Sequence, residues 1–110
     1  MLVAMDEVFR ALADPTRRAL LDVLHAEPGA TLAELAEPLD MSRQAVSKHL
    51  AVLEAAELVA CRWAGREKHH YLNPVPLVAI QERWISKFAA KRARRLLELR
   101  RALEEKEDDR

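Results

Sequence analysis

Apolar residues recur at helical spacing through the first half of the chain. Val46, Leu50 and Leu53 are four and three positions apart, so they share one face of a helix. Asp14 followed by Pro15 is typical of a helix start, and Thr31 and Ser42 are cap residues for two more. The pattern predicts four helices, which begin near residue 3, at residue 15, after residue 31 and after residue 42.

The period changes after this fourth helix, which is predicted to end near residue 56. Val59, Cys61 and Trp63 alternate with smaller or polar residues, which indicates a β-strand. Residues 64–67 form a predicted tight turn, and residues 68–73 form a second strand. Pro74 and Pro76 end that strand, and one long helix is predicted from about residue 77 to residue 106.

This order of elements predicts a mainly α protein with a β-hairpin wing, which is a winged helix-turn-helix fold. Residues 1–106 are expected to form a single domain for DNA binding and dimerisation, with the long C-terminal helix contributing to the dimer. Residues 107–110 are expected to be a charged, frayed tail.

The charge distribution supports a nucleic-acid partner although the formal net charge is zero. Residues 42–103 carry thirteen Lys or Arg against five Asp or Glu, whereas residues 1–41 carry three against eight. A local basic field matters more than the total for contact with a phosphate backbone. The neutral total therefore hides a basic central segment.

Several classes of protein are disfavoured by residues that the sequence lacks. A lone cysteine permits no intrachain disulfide, and neither a signal peptide nor a membrane-spanning run is visible, so we expect a cytoplasmic protein. No nucleophile beside a base, glycine-rich phosphate loop or metal triad is recognisable, so we do not expect an enzyme.

The fourth helix has the polar N-terminal face that a major-groove reader needs. Gln44 can pair with adenine, Arg43 or Lys48 with guanine, and Ala45 can lie near a thymine methyl group. The alternative is an ordinary solvated helix face. The predicted DNA-binding residues of this helix are Ser42, Arg43, Gln44, Ala45, Ser47, Lys48 and His49.

Four segments resemble the ArsR-type, or arsenic-repressor-like, winged-helix regulators. They are residues 12–17 (Leu-Ala-Asp-Pro-Thr-Arg), residues 32–39, residues 42–53, which contain Val-Ser-Lys-His-Leu, and Gly65-Arg66 between the two strands. The resemblance implies a cytoplasmic homodimer that sits on an operator and leaves it when a signal arrives. It also implies wing contacts to duplex DNA from Arg66 and Lys68, and Arg62 on the first strand is a further predicted wing contact.

The metal-sensing branches of that family are not matched. Residues 31–39 and 74–110 contain neither Cys nor His, and His25 and His49 lie on different helices. Cys61 is interpreted as an isolated, buried strand residue. His69 and His70 point to opposite faces of a strand, with His69 exposed and His70 half-buried. We therefore expect no metal and no other cofactor.

A further apolar set is predicted to form the seam of a homodimer. About 30 residues of helix span about 45 Å, which is more than so small a domain can cover. The alternative is packing of that helix on its own domain. The predicted dimer residues are Val8, Phe9, Leu12, Trp84, Ile85, Phe88, Leu96, Leu99 and Leu103.

The sequence thus predicts a DNA-binding transcription regulator, a repressor that acts as a homodimer on a palindromic operator. The alternative is a winged-helix module that binds a protein partner and never reads DNA. A neutral net charge favours the alternative, and the basic central segment favours DNA.

Overall fold

The computed structural model describes residues 5–108, which form six helices and one two-stranded sheet. The order confirms the predicted winged helix-turn-helix architecture. The elements are α1 (Met5–Leu12), α2 (Pro15–Ala26), α3 (Leu32–Leu39), α4 (Arg43–Ala55), β1 (Val59–Ala64), β2 (Glu67–Leu72), α5 (Val75–Trp84) and α6 (Lys87–Asp108).

Side-chain caps fix where three helices begin, as the sequence predicts. The Asp14 carboxylate accepts a hydrogen bond from the Arg17 N–H at 3.0 Å, which starts α2. Thr31 and Glu34 form a reciprocal capping box at the start of α3. These contacts satisfy backbone N–H groups that have no partner within the helix.

A short turn joins α3 to α4 and makes the helix-turn-helix. Pro38 lies within the last turn of α3, so the helix continues to Leu39 rather than stopping before the proline. Asp40 then adopts a left-handed conformation, with φ at 50°, and its N–H bonds back to the Glu37 carbonyl at 3.2 Å. This reversal lets α4 begin at Arg43.

The core of the first compact unit, which ends at Val78, lies between these four helices and the foot of the hairpin. Leu20 and Leu24 of α2 and Leu35 of α3 are fully buried. The predicted inward face of α4 is confirmed, since Val46, Leu50 and Leu53 are at most 3% exposed. Leu58, which lies between α4 and β1, is also fully buried.

The hairpin pairs β1 with β2 in antiparallel register, from Val59 opposite Leu72 to Ala64 opposite Glu67. Gly65 takes a positive φ of 63° in the two-residue turn, a conformation that glycine adopts at little cost. The second strand begins and ends one residue earlier than predicted. An isolated bridge between Ala30 and His70 ties the strand to the loop between α2 and α3.

The predicted long C-terminal helix is present as α6, but its predicted unbroken extent from about residue 77 was wrong. The helix breaks at Ile85 and Ser86, and the Ser86 hydroxyl accepts a hydrogen bond from the Ala89 N–H at 3.1 Å. Ser86 is therefore the N-cap of an independent helix, a signal that the continuous apolar spacing obscured. That helix, α6, runs through residues 107 and 108, which were expected to fray.

The second compact unit, from Ala79 onward, contains most of α5 and all of α6. Within residues 75–108 no side chain of either helix is buried. Leu96, Leu99 and Leu103 are each more than half exposed. No helix among residues 5–108 is long and apolar enough to cross a membrane.

Candidate nucleic-acid interface

The outward face of α4 carries the polar side chains that the sequence singles out. Arg43, Gln44, Ser47 and Lys48 are all exposed, while the opposite face of the same helix is buried in the core. Because the core side fixes the rotation of α4, the polar side is presented to solvent as one surface. This surface is where a major groove would be read in a helix-turn-helix protein.

Ser42 has a structural role at the start of this surface. Its Oγ accepts a hydrogen bond from the Ala45 N–H at 3.1 Å and caps α4. The first turn of a capped helix also presents backbone N–H groups and a partial positive charge, which favour an anion such as phosphate. Ala45 itself is half-buried.

His49 lies on a different side of α4 from the exposed polar residues. It is half-buried, and its Nδ1 is 4.0 Å from the carboxylate of Asp14 at the start of α2. The pKa of Asp14 is held below its ordinary value, mainly by the Arg17 backbone N–H and with a contribution from His49. A base contact by His49 stays a prediction, and its position favours a role in joining α4 to α2.

The wing carries three basic side chains in different settings. Arg66 is exposed in the turn, and it makes no hydrogen bond or ion pair within residues 5–108. Arg62 is exposed on β1. Lys68 is turned back toward α4, where its Nζ lies 3.2 Å from the carboxylate of Glu54.

Trp63 is a feature of the wing that sequence reasoning missed. It is 65% exposed, and the Lys68 ammonium lies 5.9 Å from the centre of its ring. In the sequence it was used only to recognise the strand. The signal that could have revealed it is its place in the sequence: an aromatic residue lies directly between Arg62 and the predicted turn of a basic hairpin.

A groove of about 490 Å³ lies between α4 and the hairpin wing. Its walls come from the start of α3, the middle of α4 and the hairpin. Its lining includes Arg43, Ser47, Glu54, Trp63, Arg66, Lys68 and His70. The groove therefore brings together four of the predicted DNA-binding residues, Arg43 and Ser47 of the helix and Arg66 and Lys68 of the wing.

The interpretation of Cys61 as isolated and buried was wrong. Its thiol is exposed, and the S–H donates to a carboxylate oxygen of Glu54 at 2.6 Å. Although the residue is exposed, its sulfur is partly shielded from water by Glu54, and this partial burial together with the carboxylate raises the pKa of Cys61 to about 11. Burial raises the pKa of Glu54, but hydrogen bonds from Cys61 and Lys68 outweigh it and leave that pKa below its ordinary value.

The two neighbouring histidines are both more enclosed than predicted. His69 was expected on an exposed face, yet it is half-buried and a ring nitrogen lies 2.7 Å from the Gly29 carbonyl oxygen. His70 is 3% exposed, and its Nδ1 lies 2.9 Å from the Ala30 carbonyl oxygen. The loop between α2 and α3 covers both rings, and no periodicity along the strand could reveal that cover.

The predicted dimer residues fall into two groups. Val8 is 3% exposed and belongs to the core of the first unit, so little of its surface is left for a second copy. Leu12 is half-buried and Phe9 is 41% exposed. The remaining members, which lie at or beyond the end of α5, are exposed: Trp84, Ile85, Phe88, Leu96, Leu99 and Leu103.

Comparisons with known proteins identify the class. Residues 12–62 match a family described as a helix-turn-helix domain. Over 76 residues the chain is 46% identical to the HTH-type transcriptional regulator Rv2034 of Mycobacterium tuberculosis, a match that covers 69% of this chain and 70% of that protein. The transcriptional repressor SdpR of Bacillus subtilis is 36% identical over 73 residues, 66% of this chain and 80% of that protein.

A solved structure extends the match beyond the helix-turn-helix. The ArsR-like transcriptional regulator from Rhodococcus sp. RHA1 is 33% identical, with a TM-score of 0.67 over 92% of this chain and 91% of that one. The fold and these relatives define a winged helix-turn-helix transcription regulator that binds DNA. Within that class, the chain belongs to the ArsR family.

Proposed function

We propose that this ArsR-family regulator binds a palindromic operator as a homodimer and represses transcription. The observation that carries the proposal is the exposed polar face of α4, with Arg43, Gln44, Ser47 and Lys48 beside a groove closed by a basic wing. Support for repression comes from the similarity to the repressor SdpR. The compartment that suits this function is the cytoplasm.

The α4 side chains are assigned to base reading by their chemistry and exposure. Gln44 lies in the first turn of the helix, where its amide can give and accept one hydrogen bond each at an adenine edge. Arg43 and Lys48 suit guanine or phosphate. Ser42 and Ser47 suit phosphate oxygens, and Ala45 suits a thymine methyl group.

The wing residues are assigned to the DNA backbone and the adjoining minor groove. Arg66 at the turn is exposed and unpaired within the described part of the chain, so it brings its full charge to a phosphate. Arg62 is the second candidate. Lys68 must first leave Glu54, 3.2 Å away, so its net contribution is smaller.

The dimer is supported by an apolar stripe on the second unit. Ile85, Phe88, Leu96, Leu99 and Leu103 are all exposed, from 44% to 72%. Leu96, Leu99 and Leu103 follow i, i+3 and i+7, so they form one ridge along α6. A ridge of this kind is stabilised when a second copy covers it, and two copies would present two recognition helices to two half-sites.

The test is a fluorescence-anisotropy titration of duplexes from the regulated promoter, with random duplex as competitor. We expect binding that survives the competitor at two chains per site. Gln44→Ala should cost about 1–3 kcal/mol on the operator and relax preference at one position of each half-site. Gln81→Ala is the matched control, since Gln81 is exposed on α5, in a different part of the chain.

Two results would contradict the assignment. If Gln44→Ala binds every single-base operator variant in the same ranking as the wild type, Gln44 reads no base. If one chain occupies each site at saturation, the homodimer is wrong even though DNA is bound.

A further inference from the structure

We propose that Glu54, Cys61 and His70 form a binding site for one zinc-type divalent metal ion. A carboxylate oxygen, the thiol sulfur and an imidazole nitrogen from these residues all lie within 4.8 Å of one another. Within residues 5–108 no other trio of such ligands is so close together. One sulfur, one nitrogen and one oxygen ligand with an open fourth position is a donor set that Zn²⁺ accepts.

The register of the hairpin places two of the ligands together. Cys61 on β1 and His70 on β2 are directly opposite each other in the antiparallel ladder. Directly opposed residues have Cβ atoms about 4.5–5.5 Å apart on the same face of a sheet. Glu54 comes from α4 and meets that face, as its 2.6 Å contact with the Cys61 sulfur shows.

The His70 ring has the second-contact hydrogen bond that metal-ligating histidines usually have. Its ring is almost fully buried, and Nδ1 lies 2.9 Å from the Ala30 carbonyl oxygen. A carbonyl oxygen only accepts hydrogen bonds, so Nδ1 carries the proton and donates it, which leaves Nε2 with a free lone pair. Such a second contact fixes the tautomer and orientation of a ligating imidazole.

The Nε2 atom makes no hydrogen bond in the portion of the chain that the structure describes. His70 also lines the groove between α4 and the wing, together with Glu54. The groove gives an ion a route to these two ligands, the exposed Cys61 adjoins them, and a water molecule can supply the fourth ligand.

In the protein without metal, a neutral thiol and an ammonium group both contact the Glu54 carboxylate. The Cys61 S–H donates to Glu54, and the Lys68 ammonium lies 3.2 Å from the same carboxylate oxygen. Metal binding breaks the S–H bond, releases that proton to water, and forms a metal–thiolate bond without any oxidation or reduction. Thiolate and carboxylate together neutralise a divalent ion. The attraction between the Lys68 ammonium and Glu54 is then lost, and Lys68 is released.

This displacement links the metal to the wing. Lys68 is one of the residues assigned to DNA, so its release from Glu54 would change how the wing meets the backbone. That consequence rests on the proposed function. The binding site itself does not, and its test uses no DNA.

This site could not be predicted from the sequence, because its ligands follow no compact spacing. Glu54 and Cys61 are separated by six residues, and Cys61 and His70 by eight. They belong to a helix and to two strands, and only the register of the hairpin and its packing against α4 bring them together.

The test is titration of the full chain, reduced and without DNA, with Co²⁺ as a spectroscopic substitute for Zn²⁺. We expect one Co²⁺ per chain, a thiolate-to-cobalt charge-transfer band, and the intense visible bands of four-coordinate cobalt, all reversed by Zn²⁺. Cys61→Ser should abolish the charge-transfer band. Glu54→Gln should weaken Co²⁺ binding at least about tenfold.

Three further variants separate a metal site from general surface binding. Lys68→Ala should tighten Co²⁺ binding, because it removes the ammonium that competes for Glu54. His70→Gln should weaken Co²⁺ binding as Glu54→Gln does, and His25→Gln is its matched control, since His25 is exposed on α2 and its loss should leave the spectrum unchanged. Circular dichroism shows whether the buried His70→Gln variant folds, and Cys61→Ser, at an exposed position, keeps the proposal testable if it does not.

The proposal is overturned if Co²⁺ binds without a sulfur band. It is equally overturned if Cys61→Ser leaves the spectrum intact, or if His25→Gln weakens binding as much as Glu54→Gln does.

Discussion

Removal of the Arg66 charge gives the most quantitative test of the wing assignment. Arg66 lies in the two-residue turn of the hairpin, exposed and without an ion-pair partner among residues 5–108. Its guanidinium therefore has no competing interaction to break before it meets DNA. Arg66→Ala should remove one phosphate contact from each subunit and leave the fold unchanged.

The size of the effect follows from counterion release. Each phosphate that a protein neutralises on duplex DNA contributes about 0.9 to the slope of log affinity against log salt. Two subunits lose two contacts, so the slope should become shallower by about 1.8. Between about 50 mM and about 200 mM salt, the wild type should therefore lose about twelvefold more affinity than the variant does.

The assay is the anisotropy titration repeated at several salt concentrations on operator and random duplexes. Arg101→Ala is the matched control, because Arg101 is exposed on α6 and the change in charge is the same. Lys68→Ala should have a smaller effect than Arg66→Ala, since Lys68 is paired with Glu54 in the free protein. An Arg66→Ala slope equal to that of the wild type would refute the contact, whatever happened to the affinity at one salt concentration.

Two further predictions concern stability. Leu53→Ala should lower the free energy of unfolding by about 2–5 kcal/mol because Leu53 is fully buried. Val52→Ala, at a site that is 38% exposed, should change it by no more than about 0.5 kcal/mol. Equal losses for the two variants in urea titrations would contradict the placement of Leu53 in the core. The pKa of Asp14 is lowered in the folded state from its ordinary value of 3.8. Its carboxylate therefore stabilises the fold when the pH is above that ordinary pKa, and this contribution is lost as the pH falls through the folded pKa. The stability of the wild type should therefore fall toward that of Asp14→Asn between neutral and strongly acidic pH, and a constant difference across that range in urea titrations would contradict the role of the charge.

Local signals were sufficient for most of the first unit. Asp14 and Thr31 cap the helices that they were predicted to cap, because the caps depend only on residues within one turn. The inward face of α4 follows from spacing alone. Ser86 is a cap of the same kind, but apolar residues on both sides of it continue the helical period, and the competing local signal was overlooked.

The cluster at Glu54, Cys61 and His70 could not be predicted in the same way. A strand pattern tells which residues share a face, but the partner opposite Cys61 depends on where the turn falls. The turn was predicted at residues 64–67, which is correct, yet the packing of α4 against the hairpin is a tertiary fact. Burial of the two histidines has the same origin, since the covering loop lies 40 residues away in sequence.

The bridge between Ala30 and His70 fixes the hairpin to the loop between α2 and α3. A two-stranded hairpin alone is only marginally stable in water. Here the Gly29 N–H donates to the His70 carbonyl at 2.8 Å and the His70 N–H donates to the Ala30 carbonyl at 3.0 Å. These two bonds tie β2 to the loop between α2 and α3, so the position of the hairpin depends on the first unit as well as on its own ladder.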